Sequence, residues 1–193
     1  MKFLLLIFIL FGCASQPEPS GLMVDLDIEE VKPDKMTALT KQNLIHLAQV
    51  YHLEPFLYTK KIKIQSKARN QFYPVIVLNT LHAEQPHKLL GHWLHEEFHW
   101  WILKNDKNFL KAMVQLKRNL PGKQKKDYIE LAVCYLEFQS LIHFLEQKEA
   151  RSIIRNSIQK ERTHPWAYKK ALAQSKIVKK ILLRHKLIPE ILI

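Results

Sequence analysis

The chain is poor in glycine, with 4 among 193 residues, and poorer still in cysteine, with 2. So little glycine leaves few positions for the tight turns and bulges on which an all-β fold depends. The many Leu, Ile, Lys and Gln residues favour a mainly helical body instead. Two cysteines cannot make a disulfide scaffold. Acidic residues are scarce beside basic ones, 18 against 30, which gives a formal charge of +12. That balance invites nucleic acid as a partner, yet the basic residues are scattered and no recognition motif or aromatic platform accompanies them, so no specific nucleic acid is expected. The expectation is a solvated basic surface drawn to anionic envelope polymers or lipid head groups. Hydrophobic residues, 47% of the chain, suffice for one domain with its own core.

Long apolar runs are also scarce, and the one at the start is short. Met1-Lys2 is a cationic lead into Phe3 to Phe11, which is too short to span a bilayer as a mature helix and has the form of a targeting segment. Leu10-Phe11-Gly12-Cys13 then resembles the lipobox of bacterial lipoproteins. That resemblance implies a signal peptide over 1–12, lipidation of Cys13, a flexible tether to residue 22 and a folded domain over 23–193. The tether is polar and carries Pro17 and Pro19. It also implies a location in the bacterial cell envelope, anchored to a membrane through Cys13, on the outer membrane or periplasmic face if the host is Gram-negative. With Cys13 lipidated, Cys134 has no partner in the chain, and its apolar surroundings predict a small buried hydrophobe.

Within the domain, Thr40 is a candidate cap for a helix over Lys41 to His52, whose apolar residues recur at helical spacing. From Thr59 to Thr80 the pattern changes. Lys61-Ile62-Lys63-Ile64-Gln65 alternates with period two, and Phe72 to Leu78 is rich in β-formers around Pro74, which predicts a hairpin or small sheet with an edge strand. Lys104 to Lys126 reads as basic helix and loop broken at Pro121-Gly122, and Asp127 opens a strongly apolar helix. Lys148 to Arg162 reads as a basic amphipathic helix, Pro165 begins a last long one, and the apolar tail Ile191-Leu192-Ile193 is expected to dock.

The chemistry centres on Gly91 to Trp101, where His95 and His99 stand four residues apart and Glu96 follows the first histidine. On a helix, positions four apart share one face, so both imidazoles can converge on one metal ion. This is the zincin spacing, His-Glu-x-x-His. Two imidazoles leave a zinc coordination shell incomplete, requiring a third protein ligand and a water, and Glu96 is placed to take that water's proton. His92, one turn earlier, reads as a rim or supporting residue. Glu97 falls on the other side of the helix and is expected in solvent.

For the third ligand, the apolar helix holds Glu130 and Glu137, seven apart and on one face. A buried ionised carboxylate needs compensation, and a metal supplies it. Glu137, between Leu136 and Phe138, lies in the deeper apolar stretch and is preferred, with Glu130 as the alternative and the other carboxylate orienting a histidine. A metzincin would need Gly at 102 and His or Asp at 105, where this chain has Ile102 and Asn105. His95-Glu96-x-x-His99 with a later helical glutamate resembles the gluzincin group of zinc metallopeptidases. The resemblance implies an edge strand beside the metal helix that can serve as a substrate shelf, with an ordinary edge strand as the alternative. It also makes His164 and Tyr168 candidates for stabilising the oxyanion, with helix-end packing as their alternative. The expectation is an α+β, mainly helical, zincin-like domain that binds Zn2+ through His95, His99 and Glu137 and hydrolyses a peptide or protein substrate with Glu96 as base. The alternative is a non-catalytic zinc-binding or scaffold lipoprotein, recognisable by a closed four-ligand site.

Overall fold

The fold begins with a short strand, β1 (Asp27–Val31), and a helix, α1 (Lys35–Val50), whose start is fixed by Asp34. The Asp34 carboxylate accepts the N–H groups of Met36 and Thr37 at 2.8 Å, and the Thr37 hydroxyl oxygen accepts the Asp34 N–H in return. This capping box satisfies donors that the first helical turn would leave open. Thr40, expected as the cap, lies inside the helix, fully buried, with its hydroxyl donated to the Met36 carbonyl. A computed structural model describes residues 25–69, 71–122, 124–161 and 164–193. The signal segment 1–12 and the Cys13 tether to residue 22 lie outside the described residues. Among those described, no helix is long and apolar enough to cross a membrane.

The strands β2 (Lys61–Gln65) and β3 (Ile76–Leu78) complete a three-stranded sheet in the order β1-β2-β3, parallel throughout. Ile62 pairs with Ile76 and Ile64 with Leu78, which puts these apolar side chains in the core. The expected hairpin is therefore not what forms, because parallel strands cannot be joined by a tight turn; the loop 66–75 carries the chain back instead. That loop also covers the outer edge of β3, where Val77 exchanges both backbone hydrogen bonds with Gln71, at 2.7 and 3.1 Å. The edge position expected as a substrate shelf is thus filled by the chain's own backbone.

Helices make up the rest. They are α2 (Pro86–Lys104), α3 (Asp106–Asn119), α4 (Lys125–Phe144), α5 (Gln147–Asn156), α6 (Pro165–Ala173) and α7 (Ser175–Arg184). The overall class is α+β and mainly helical, as expected. A π-helical segment, Ser157–Glu161, follows α5, and the last long helix expected from Pro165 is broken at Gln174 into two. α4 is the central element. It packs against α2 on one side and α6 on the other, and buries Leu131 to Phe138 without interruption. Each fully buried large apolar side chain contributes on the order of 1.5–3 kcal/mol, which explains how a helix with two internal carboxylates is held in place. Cys134 is fully buried, as expected. At the C-terminus, Leu187 and Ile188 are buried, and Trp101 donates its indole N–H to the Leu187 carbonyl at 2.8 Å. Of the apolar tail expected to dock, Leu192 packs against the core, while Ile193 is 73% exposed.

Candidate metal centre

Two helices build the site. α2 contributes His95, Glu96 and His99 from one face, all buried, because its neighbours α1, α4 and β3 enclose it. α4 contributes Glu130 and Glu137 from the face turned to α2. The Nε2 atoms of His95 and His99 each stand 3.5 Å from Oε2 of Glu130. These three ligating atoms lie within 4.8 Å of one another. Donors bonded to a tetrahedral zinc at about 2.1 Å are separated by about 3.4 Å, so the spacing fits a small cation between them. Glu130 Oε2 is buried, and its contacts, the imidazole nitrogens of His95, His99 and His164 at 3.4–3.5 Å, are too long for good hydrogen bonds, so the oxygen is open to a cation. Donor set, spacing and weakly satisfied oxygen all fit a metal ion.

Glu137, preferred from sequence as the third ligand, is brought elsewhere. Its Oε2 is 2.9 Å from Nδ1 of His95, and the Tyr168 hydroxyl donates to the same oxygen at 2.7 Å. With the Nδ1 proton donated to Glu137, Nε2 is the nitrogen turned to Glu130, free to coordinate a metal once its own proton is displaced. The physical reason for the difference between the two carboxylates is depth. Glu137 is 1% exposed and reaches the back of His95, whereas Glu130, one α4 segment nearer the open end, reaches both Nε2 atoms. His95, Cys134 and Glu137 also form a compact donor group. Burial raises the Cys134 thiol well above its ordinary range, and the nearby Glu137 adds to this.

The charges of the centre are strongly coupled. Burial pushes the Glu130 carboxyl up, but the imidazoles of His95 and His99 outweigh it and hold it far below the usual carboxylate range. For His95, burial works against the imidazolium, while Glu130 and Glu137 overcome that effect and raise its pKa well above the ordinary value. Glu96 is 7% exposed, and burial raises its pKa while His95, His99 and His92 pull it back. A raised carboxyl is suited to moving protons near neutral pH.

A cleft of about 860 Å³ opens over His95 and Glu96 and is bordered by His92, His164 and Tyr168. His164 precedes α6 in a left-handed conformation, φ 40° and ψ 45°, which is uncommon for a residue with a side chain. That turn stacks its ring on His95, with centroids 5.5 Å apart, and places Nδ1 3.4 Å from Glu130 Oε2. Burial lowers the His164 pKa. Tyr168, the other residue expected to face an oxyanion, instead spends its hydroxyl on Glu137.

Two residues near the centre escaped the sequence. Phe72, taken as part of a strand, sits in the loop 66–75 and stacks on His99 at 4.6 Å and 12°, shielding that ring. Glu97, expected in solvent, is fully buried. It accepts the N–H groups of Tyr58 and Thr59 at 2.7 and 3.2 Å and the Trp93 indole N–H at 3.1 Å. The aromatic run beside Glu97 was the only hint, since a helix apolar on several faces is buried on several faces. No protein-family model, curated protein or solved structure matches the chain.

Proposed function

We propose that the protein is a zinc-dependent hydrolase of peptide or amide bonds, gluzincin-like in its site, with His95, His99 and Glu130 holding the metal. The observation that carries this is the convergence of two Nε2 atoms on one buried carboxylate oxygen that has no close hydrogen bond, beside Glu96 and an open cleft. Imidazole and carboxylate donors suit zinc, and three protein ligands rather than four leave a position for chemistry. When bound, zinc polarises a carbonyl and brings the pKa of a water to about 7.

The chain's own residues do the remaining work. Glu96 accepts a proton from the water as its oxygen bonds to the carbonyl carbon, then delivers that proton to the amine as the C–N bond breaks. Glu137 holds the Nδ1 proton of His95, fixing the ring for coordination through Nε2, and Tyr168 holds Glu137 in turn. His164, at the cleft wall, is the donor for the oxyanion that develops on the carbonyl. Lipidation at Cys13, with attachment to an envelope membrane, belongs to the same proposal and is supported by the apolar run 3–11 and the Leu10 to Cys13 pattern.

The test is to incubate a mixed peptide pool with the zinc-loaded full-length chain, the chelated chain and Glu96→Gln, and to read new termini by mass spectrometry. Cleavage is expected from the zinc-loaded chain alone, with Glu96→Gln slower by about 10²–10⁴-fold. Equal cleavage by Glu96→Gln contradicts the proposal.

A further inference from the structure

The polar face of α2 does not stop at the metal ligands. Lys88, His92, His95 and His99 are spaced by four, three and four residues, so they form one ladder along the helix. Lys88, His92 and His95 all line the cleft, and Arg69 from the loop after β2 stands at its rim. Glu96 is the only carboxylate among the described lining residues. Among the described residues neither Lys88 nor Arg69 makes an ion pair. Glu149, in the hollow that adjoins Lys88, is engaged by His87, whose Nδ1 is 2.5 Å from its carboxylate. Two cations in a concave, partly enclosed surface attract an anion more strongly than the same charges on open protein.

The spacing says where the anion sits. Seven residues at about 1.5 Å each carry Lys88 about 10 Å along the helix from His95, the length of about three residues of extended chain. We propose that the cleft selects peptides bearing a carboxylate about three residues from the bond that is cut, with Lys88 as the principal counter-charge and Arg69 assisting at the rim. This rests on the hydrolase function proposed above and specifies its substrate class. The carboxylate can be an acidic side chain or the free C-terminus of a short peptide; both present the same chemistry to Lys88.

The experiment uses the zinc-loaded full-length chain and a set of eight-residue peptides. One is neutral and C-terminally amidated, others carry a single Glu walked along that sequence, and one is neutral with a free C-terminus. Cleavage is expected to follow the Glu, or the free C-terminus, at a constant spacing of about three residues, at least tenfold faster than in the neutral amide. The preference is expected to shrink with added salt. The amidated Glu series reports a side-chain carboxylate, and the free-acid peptide reports a terminal one. Lys88→Glu is expected to abolish the preference, and Lys88→Gln to reduce it; the second guards against misfolding of the charge reversal. A neutral amide cut as fast as the Glu peptides, or a preference untouched in both Lys88 variants, overturns the proposal. If no peptide is cut, the hydrolase function fails, and the anion site is decided by anisotropy titration of the same labelled peptides onto zinc-loaded Glu96→Gln. Tighter binding of the carboxylate-bearing peptides, lost with Lys88→Glu, supports the site, and equal binding of all peptides overturns it.

Discussion

His95 is held from both sides, by Glu130 at Nε2 and by Glu137 at Nδ1, with Tyr168 behind Glu137. Neutralising the rear partner loosens a ring that is still able to coordinate. Glu137→Gln is therefore expected to weaken zinc affinity about 10–100-fold without abolishing binding, as measured by competition with a chelating indicator. The two carboxylates also raise the His95 pKa, so in the metal-free protein this ring carries a proton at neutral pH. The stability it contributes is present in full below the ordinary histidine value and is lost as pH rises through the higher folded pKa. Zinc must displace that proton. Calorimetric titrations at pH 7 in buffers of different ionisation enthalpy are expected to show proton release on zinc binding, and affinity falling as pH falls; an enthalpy independent of buffer contradicts it. The helical period made His95, Glu96 and His99 legible as one cluster, because four residues nearly complete a turn. It could not choose between Glu130 and Glu137, which share a face at different depths, and depth is set by how α4 lies against α2. The more apolar setting of Glu137 signalled the back of the site.

Glu97 works at the scale of elements. It ties α2 to the segment leading into β2 by accepting the Tyr58 and Thr59 N–H groups, and Lys104 adds a bond to the Tyr58 carbonyl. Glu97→Ala leaves one buried and two half-buried N–H donors without their acceptor and is expected to cost about 2 kcal/mol, read from denaturant unfolding. The wild-type carboxyl has a pH signature as well. Burial raises its pKa to about 8 against the pull of those donors, so the folded protein holds this proton more tightly than the unfolded chain. Its contribution favours the fold most below about 4.5 and declines as pH climbs towards 8, a slope that Glu97→Ala removes. The helices were legible because their apolar residues recur at the right period, and α2 and α4 lie close to where the pattern put them. The sense of the sheet was not. β1 carries three acids in five residues and has little apolar signal of its own, and without it the two strands between Thr59 and Thr80 look like a hairpin.

At the scale of the whole molecule, α4 threads the core between α2 and α6 so that groups far apart in sequence, from Phe72 to Tyr168, surround one pair of histidines. The formal charge of +12 is of the sign that the proposed anionic substrate requires. The hydrolase function proposed here depends on a metal held between α2 and α4. The most direct test is elemental analysis of the folded full-length chain after zinc loading and gel filtration, beside Glu130→Ala and Glu137→Gln of equal helicity. One zinc per chain in the wild type, kept by Glu137→Gln under excess zinc and lost in Glu130→Ala, is the predicted result. A folded wild-type chain that takes up no zinc, or a Glu130→Ala chain that keeps it, would contradict the account.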